Sequence, residues 1–161
     1  DKPLLNRNLQ IHKLSSSIFT KLFWLLSYYS NDSIKVKRFE DLMVWQRSRD
    51  LAKDIYQLTK FDDLQKDFGL KQQILNSSGS IPDNIAEGFE RNGNKEFRQF
   101  LSVAKGSAGE LRSQIYRLFD REVLNQNEFN YYIEAVTEIS KMLSSLIKRI
   151  SDSAYKGSKF V

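Results

Sequence analysis

The stretch 95-KEFRQFLSVAKGSAGELRSQIYRLFDR-121 carries a long helical pattern, in which apolar residues return every three or four positions. That spacing places them on one side of an α-helix and leaves polar residues on the other. The turn signal Arg91-Asn-Gly-Asn94 precedes it, and Asn94 is the predicted N-cap. One long amphipathic helix is therefore predicted here. Its apolar stripe consists of Phe97, Leu101, Ala104, Ala108, Leu111, Ile115 and Leu118.

Three further segments show the same periodicity. They cover about residues 42–60, 68–91 and 126–150, so the stretch quoted above is the third helix of four. Pro82 lies inside the second segment, where it removes one backbone hydrogen bond. Because the apolar register continues past Pro82, we expect one kinked helix and not two.

The connections between these segments are short. The polar residues 62–66 are predicted to form a loop, and Asn125 with Glu128 reads as a capping box that opens the fourth helix. Short connections make consecutive helices antiparallel. The predicted fold class is all-α, an antiparallel up-down-up-down four-helix bundle with an N-terminal extension.

The bundle is expected to occupy residues 38–151, followed by a polar tail, 152–161. Residues 1–37 read as a loosely attached or non-native extension. Their apolar run 18–29 is about 12 residues long, shorter than the roughly 20 that span a bilayer, and Lys21 interrupts it. A membrane-surface or secretory role for this run stays open as a minor alternative. The main expectation is a cytoplasmic protein without membrane contact.

Composition removes many kinds of chemistry. The chain has no Cys, and its single histidine, His12, lies outside the predicted bundle. Thiolate chemistry and His-dependent metal sites or triads are thereby excluded. A carboxylate pair, Glu87 and Glu110, is conceivable by spacing, but such glutamates more often pair with Arg or with helix ends. The sequence predicts no enzyme, no catalytic residue, no metal and no cofactor.

The segment Ala104-Lys-Gly-Ser-Ala-Gly109 places two glycines inside a helix. Each costs about 1 kcal/mol relative to Ala, so a compensating reason is expected. Close helix–helix packing is the favoured explanation, with Ser77, Ser78 and Gly88 as a matching small surface on the second helix. A ligand-contact surface is the alternative.

Positive charge is distributed unevenly. The net charge is +5, of which residues 1–37 supply +4, so the remainder is close to neutral. On a helical projection continued from residue 91, five cations fall within about 100° of arc, together with Tyr116, and no acidic residue is expected there. This stripe is the candidate nucleic-acid-binding site. Its members are Arg91, Lys95, Arg98, Lys105 and Arg112. Equal weight goes to a solvated face, or to pairing with Asp83, Glu87 or Glu90.

Three segments carry a family resemblance: 39-FEDLMVWQ-46, 80-SIPDNIAEGFE-90 and 105-KGSAGELR-112. In this order they resemble the bacterial four helix bundle protein family encoded by intervening sequences in 23S ribosomal RNA genes. The accessory variability determinant of diversity-generating retroelements is a relative of that family. The resemblance spans about residues 36–150.

The resemblance implies a homopentamer with a positively charged surface that binds nucleic acid. In the retroelement relatives it also implies association with a reverse transcriptase and its RNA. It brings no catalytic residue to this chain.

Three functions remain after these steps. The preferred one is an oligomeric protein that binds structured RNA through the stripe. The alternative is a protein–protein adaptor or scaffold with no nucleic-acid contact, in which small residues and exposed aromatics form the interfaces. The third is attachment to a membrane surface through residues 18–29.

Overall fold

The computed structural model describes residues 36–91 and 93–152, with the side chains of 62 and 63 left out. This part of the chain is helical and contains no strand, which confirms the all-α prediction. After a 3₁₀ turn, Phe39–Asp41, the helices are α1 (Met43–Leu58), α2 (Asp62–Lys66), α3 (Phe68–Glu90), α4 (Asn94–Asp120) and α5 (Gln126–Asp152).

Four long helices form the bundle. α3 packs against α4, α4 against α5, and α1 against both α3 and α5, so α1 lies diagonally across from α4. The contacts between α3 and α4 join the beginning of one helix to the end of the other. The Arg117 guanidinium reaches Gln73 near the start of α3, whereas Ser107 bonds Ser80 further along it. The antiparallel arrangement is therefore as predicted.

The apolar stripes of the four helices meet in one core. The predicted stripe of α4 is buried throughout, since Phe97, Leu101 and Leu118 are fully inaccessible. Ile55 of α1, Ile74 of α3 and their neighbours pack against it. Burial of each such side chain contributes about 1.5–3 kcal/mol, which far exceeds differences in helix propensity.

Helix boundaries depend on local capping. α3 continues through Pro82 as one helix, as predicted. At the start of α5 the Asn125 side chain accepts from the backbone of Glu128 at 3.0 Å, and the Glu128 carboxylate accepts from Asn125 N–H at 2.9 Å. The predicted capping box is thereby confirmed.

Two local predictions were wrong. Asn94 is the first residue of α4 and Gly93 is its N-cap, so Asn94 does not cap the helix. Residues 62–66 form the short helix α2 and not a loop. Leu64 gives the reason, because it is 1% exposed and attaches this polar segment to the core.

The proposed extension, including the apolar run 18–29, falls outside the described residues, apart from its last two positions. Its attachment, the domain limits and the tail beyond residue 152 stay predictions. Among the described helices, none combines the length and apolarity that a bilayer crossing requires.

Candidate nucleic-acid interface

Helix α4 carries four of the five predicted cations along one flank. Arg98, Lys105 and Arg112 follow one another at intervals of seven residues, and Lys95 stands one turn before Arg98. Seven residues are nearly two helical turns, so successive members lie about 10.5 Å apart along the helix. All four side chains are exposed. We call these four residues the α4 row.

Arg91 does not belong to this row. It follows the last residue of α3, and the chain breaks its helical path there before α4 begins at Asn94. A projection continued from residue 91 through this break therefore misplaced it. The Arg91 guanidinium bonds the Glu87 carboxylate at 2.6 Å and lies over the Phe100 ring at 4.6 Å from the ring centroid.

The α4 row keeps its charge unpaired within the described part of the chain. Salt bridges there involve Arg38, Arg91 and Arg121, and no member of the row. Arg98 makes one weak contact, from Nη1 to the Ser151 hydroxyl at 3.4 Å. Of the three acids considered as partners, Glu87 bonds Arg91, and neither Asp83 nor Glu90 pairs with the row. The row is thus open to an anionic ligand in the single chain.

The far end of the flank differs from the prediction. Asp120, the last residue of α4, stands eight residues after Arg112 and lies on the same side of the helix. The expectation that no acidic residue enters the arc was therefore wrong, because Asp120 limits the positive surface there. Tyr116 lies between these two residues. It is 49% exposed, and its ring meets Phe129 of α5 edge-on at 5.1 Å.

Two exposed lysines lie on α5, the helix next to the α4 row, and the sequence analysis did not include them in the site. Ser151 marks the flank of α5 that faces α4, since it contacts Arg98. Lys148 stands three residues before Ser151, and Lys141 stands seven before Lys148, so both lie about 60–80° from Ser151, between the flank that faces α4 and the outward side of α5. Both are exposed and have no salt bridge among the described residues. The heptad spacing of the two lysines was visible in the sequence. Which side of α5 packs against α4 was not, because this depends on the tertiary structure.

The glycines of α3 and α4 have different surroundings. At Gly88, an added Cβ would lie 2.5 Å from Phe100 Cβ, so close helix packing requires this glycine. At Gly106 and Gly109, an added Cβ would meet nothing within 4 Å. Packing within the chain, the favoured reason for the two α4 glycines, was therefore wrong for them. Ala104, Ser107 and Ala108 in the same tract are buried.

A polar seam joins α3 to the opposite flank of α4. The Ser77 hydroxyl donates to Gln114 Oε1 at 2.5 Å, and the hydroxyls of Ser80 and Ser107 lie 2.9 Å apart. Ser77, Ser107 and Gln114 are buried, and their mutual bonds satisfy groups that would be costly to bury alone. The seam marks the side of α4 that faces α3, so the row lies on the flank away from α3.

In the part of the chain that the structure describes, the titratable groups outside the row form no recognisable catalytic arrangement. The Tyr131 hydroxyl donates to Asp54 Oδ2 at 2.6 Å. Burial, and then this bond to Asp54, raise the pKa of Tyr131, which keeps the phenol neutral and a poor base. No group of three metal-donor side chains occurs among the described residues.

These features define a small antiparallel four-helix bundle with a cationic flank. The family model for the 23S rRNA-intervening sequence protein matches residues 40–145. The chain belongs to this family, which confirms the resemblance carried by the three segments.

One solved structure supports the assignment. It is a protein of unknown function from the S23 ribosomal protein family of Bacteroides thetaiotaomicron VPI-5482. The two chains are 32% identical, with a TM-score of 0.63, over 66% of this chain and 99% of that one. Comparison with curated proteins gives no match.

Proposed function

We propose that this protein is a non-enzymatic, oligomeric RNA-binding protein that holds phosphate groups on the α4 row. The observation that carries the proposal is the exposure of Lys95, Arg98, Lys105 and Arg112 on one flank, without salt bridges among the described residues. RNA is the preferred ligand because the family resemblance implies nucleic-acid binding and, in the retroelement relatives, association with RNA. The family's description refers to the position of the gene and names no ligand.

The physical basis is counterion release. Each phosphate that a cation neutralises frees condensed counterions, so binding weakens as salt increases. Four such contacts imply an affinity that falls roughly a hundredfold between 50 and 200 mM salt. Phosphate contacts position a ligand without reading its sequence, so we expect little dependence on base sequence.

A matched pair of lysine variants tests the proposal. Lys105 lies on the row, whereas Lys53 is also an exposed helical lysine but belongs to α1, diagonally opposite α4. Lys105→Gln should weaken binding of a structured RNA several-fold at low salt and reduce the salt slope by about 0.9, whereas Lys53→Gln should do neither. Fluorescence anisotropy titrations at several salt concentrations measure both quantities. Equal effects of the two variants, or no binding by the native protein at low salt, would refute the proposal.

Self-association is the second part of the proposal, with a homopentamer as the expected assembly. Phe68 at the start of α3 is 72% exposed and Val103 of α4 is 48% exposed, and contacts with neighbouring copies would cover such apolar side chains. Light scattering on the purified protein gives its mass in solution, and a pentamer requires five times the mass of one chain.

The same exposed apolar side chains favour a second candidate, an adaptor that binds proteins and not RNA. It predicts an affinity for its partner that neither nuclease treatment nor neutralisation of the α4 row changes. The RNA-binding proposal instead requires that nuclease treatment removes the bound ligand and that neutralisation of the α4 row weakens its binding.

A further inference from the structure

Resting on the proposed function, we infer that the ligand of this surface is double-stranded RNA, held by its phosphates between the α4 row and the two lysines of α5. The inference adds Lys141 and Lys148 to the site and assigns a role to Gly109. It rests on the arrangement of cations, small residues and aromatic rings on this flank.

The cations form two lines that run side by side. Arg98, Lys105 and Arg112 form the line on α4, which ends at Asp120. Lys148 and Lys141 form a line on α5 in the opposite chain direction, which ends at the exposed Glu134, so the two lines are cationic over two levels, Arg98 with Lys148 and Lys105 with Lys141. Members of each line are about 10.5 Å apart along the axis, and packed helix axes lie 8–10 Å apart. Two lines of fixed charge match a ligand that presents two lines of phosphates. A duplex does so along the edges of its wide, shallow minor groove.

Small residues alternate with the cations on α4. Steps of four and three residues lead from Arg98 to Ser102, Lys105, Gly109 and Arg112, so all five share one flank. The Ser102 hydroxyl donates to the Arg98 carbonyl, which folds this side chain back on its own helix. Gly109 is exposed and has nothing within 4 Å of the Cβ position. The surface between the cations is therefore low, and a rigid ligand can approach the helix closely.

The aromatic rings of this surface gather at one end of it, around Tyr116, and pack against one another. Proteins that bind single strands combine a basic groove with several rings on which successive bases stack. Tyr116 lies one turn beyond the row, and its ring packs edge-on against Phe129, on which Phe119 stacks at 4.4 Å. The more exposed rings of Tyr56 and Phe68 belong to α1 and to the first residue of α3, away from the cations. Phosphate contacts without base stacking favour a duplex over a single strand.

The first test compares an RNA duplex of about 20 base pairs with one of its isolated strands. This length is sufficient because double-stranded-RNA-binding domains span about 16 base pairs. We expect the full-length protein to bind the duplex at least tenfold more tightly in anisotropy titrations. Lys141→Gln together with Lys148→Gln should reduce the salt slope for the duplex by nearly two, with Lys53→Gln as the control. Equal or tighter binding of the single strand would overturn the inference and leave the proposed function standing. Failure to bind either RNA would overturn both.

The second test uses the glycine. Gly109→Ala adds a methyl group into open space, whereas Gly109→Gln adds a side chain that projects between Lys105 and Arg112. Both variants should fold, because Ala and Gln form helices better than Gly. We expect Gly109→Ala to bind the duplex as the native protein does and Gly109→Gln to bind at least fivefold more weakly. Native affinity in the Gln variant would refute the close approach.

Discussion

At the scale of single residues, two glycines in long helices behave in opposite ways. Gly106 is exposed, and an added Cβ would meet nothing within 4 Å. Gly88 is buried, with Phe100 Cβ 2.5 Å from the Cβ position and Phe97 Cδ2 3.1 Å from it. Both glycines lie inside long helices, so replacement by Ala should change the backbone entropy similarly at both positions. A difference in stability between the two Ala variants therefore reports side-chain packing.

We expect Gly106→Ala to raise the free energy of unfolding by about 0.5–1 kcal/mol, because it removes backbone entropy from the unfolded chain without a steric cost. Gly88→Ala should lower it by about 1–3 kcal/mol, since Cβ of Phe100 is fixed to its backbone and cannot move aside freely. Urea titrations measure both changes. Destabilisation by Gly106→Ala would mean that a neighbouring copy fills the space beside this glycine.

At the scale of elements, Asp67 joins the start of α3 to the end of α4. Its carboxylate accepts from Leu70 N–H at 3.0 Å and forms an ion pair with Arg121. The backbone hydrogen bond from Leu70, and then the positive charge of Arg121, hold the pKa of Asp67 below its ordinary value of 3.8. This contact also lines a cavity of about 260 Å³ beside Leu64 and Val123.

The direction of this pKa shift determines a pH dependence. Because the folded state binds the Asp67 proton less tightly than the unfolded chain, its stabilising contribution is present above about pH 4 and is lost as the pH falls below that value. Thermal unfolding of the native protein should therefore lose more stability between about pH 5 and about pH 3 than unfolding of Asp67→Asn. Parallel acid limbs for the two proteins would refute this role of Asp67.

The long helices were predictable because the apolar residues that mark their period in the sequence are the residues that they bury in the core. α1, α3, α4 and α5 begin and end within about two residues of the positions predicted from spacing. α2 was missed, since Leu64 is its single apolar contact with the core and one residue gives no period.

The candidate site was only partly predictable. Four members of the α4 row lie on one helix, where spacing along the chain determines which side they share. Arg91 was misplaced because the helix breaks before Asn94. Lys141 and Lys148 required knowledge of which flank of α5 faces α4, and this depends on packing between helices.

At the scale of the whole molecule, the bundle carries little net charge, so any attraction to RNA must come from where the charges lie. The α4 row, Lys141 and Lys148 lie on neighbouring helices, whereas α1, diagonally across the bundle, mixes both signs, with Arg47, Arg49 and Lys53 beside Asp50 and Asp54. Under the proposed function, this molecule holds RNA on the flank that carries the α4 row. Its action in an oligomer requires this flank to remain outside the contacts between copies.

Charge reversal on the row separates binding from assembly. Lys105→Glu replaces an exposed cation by an anion in a helix that tolerates either residue, so the fold should persist. If the row lies outside the subunit contacts, the variant should keep the native mass by light scattering while its affinity for duplex RNA falls at least tenfold at low salt. Lys53→Glu, diagonally opposite, should retain both properties. A reduced mass for Lys105→Glu would place the row inside a subunit contact, where no RNA could reach it, and the binding surface would then have to lie on another flank.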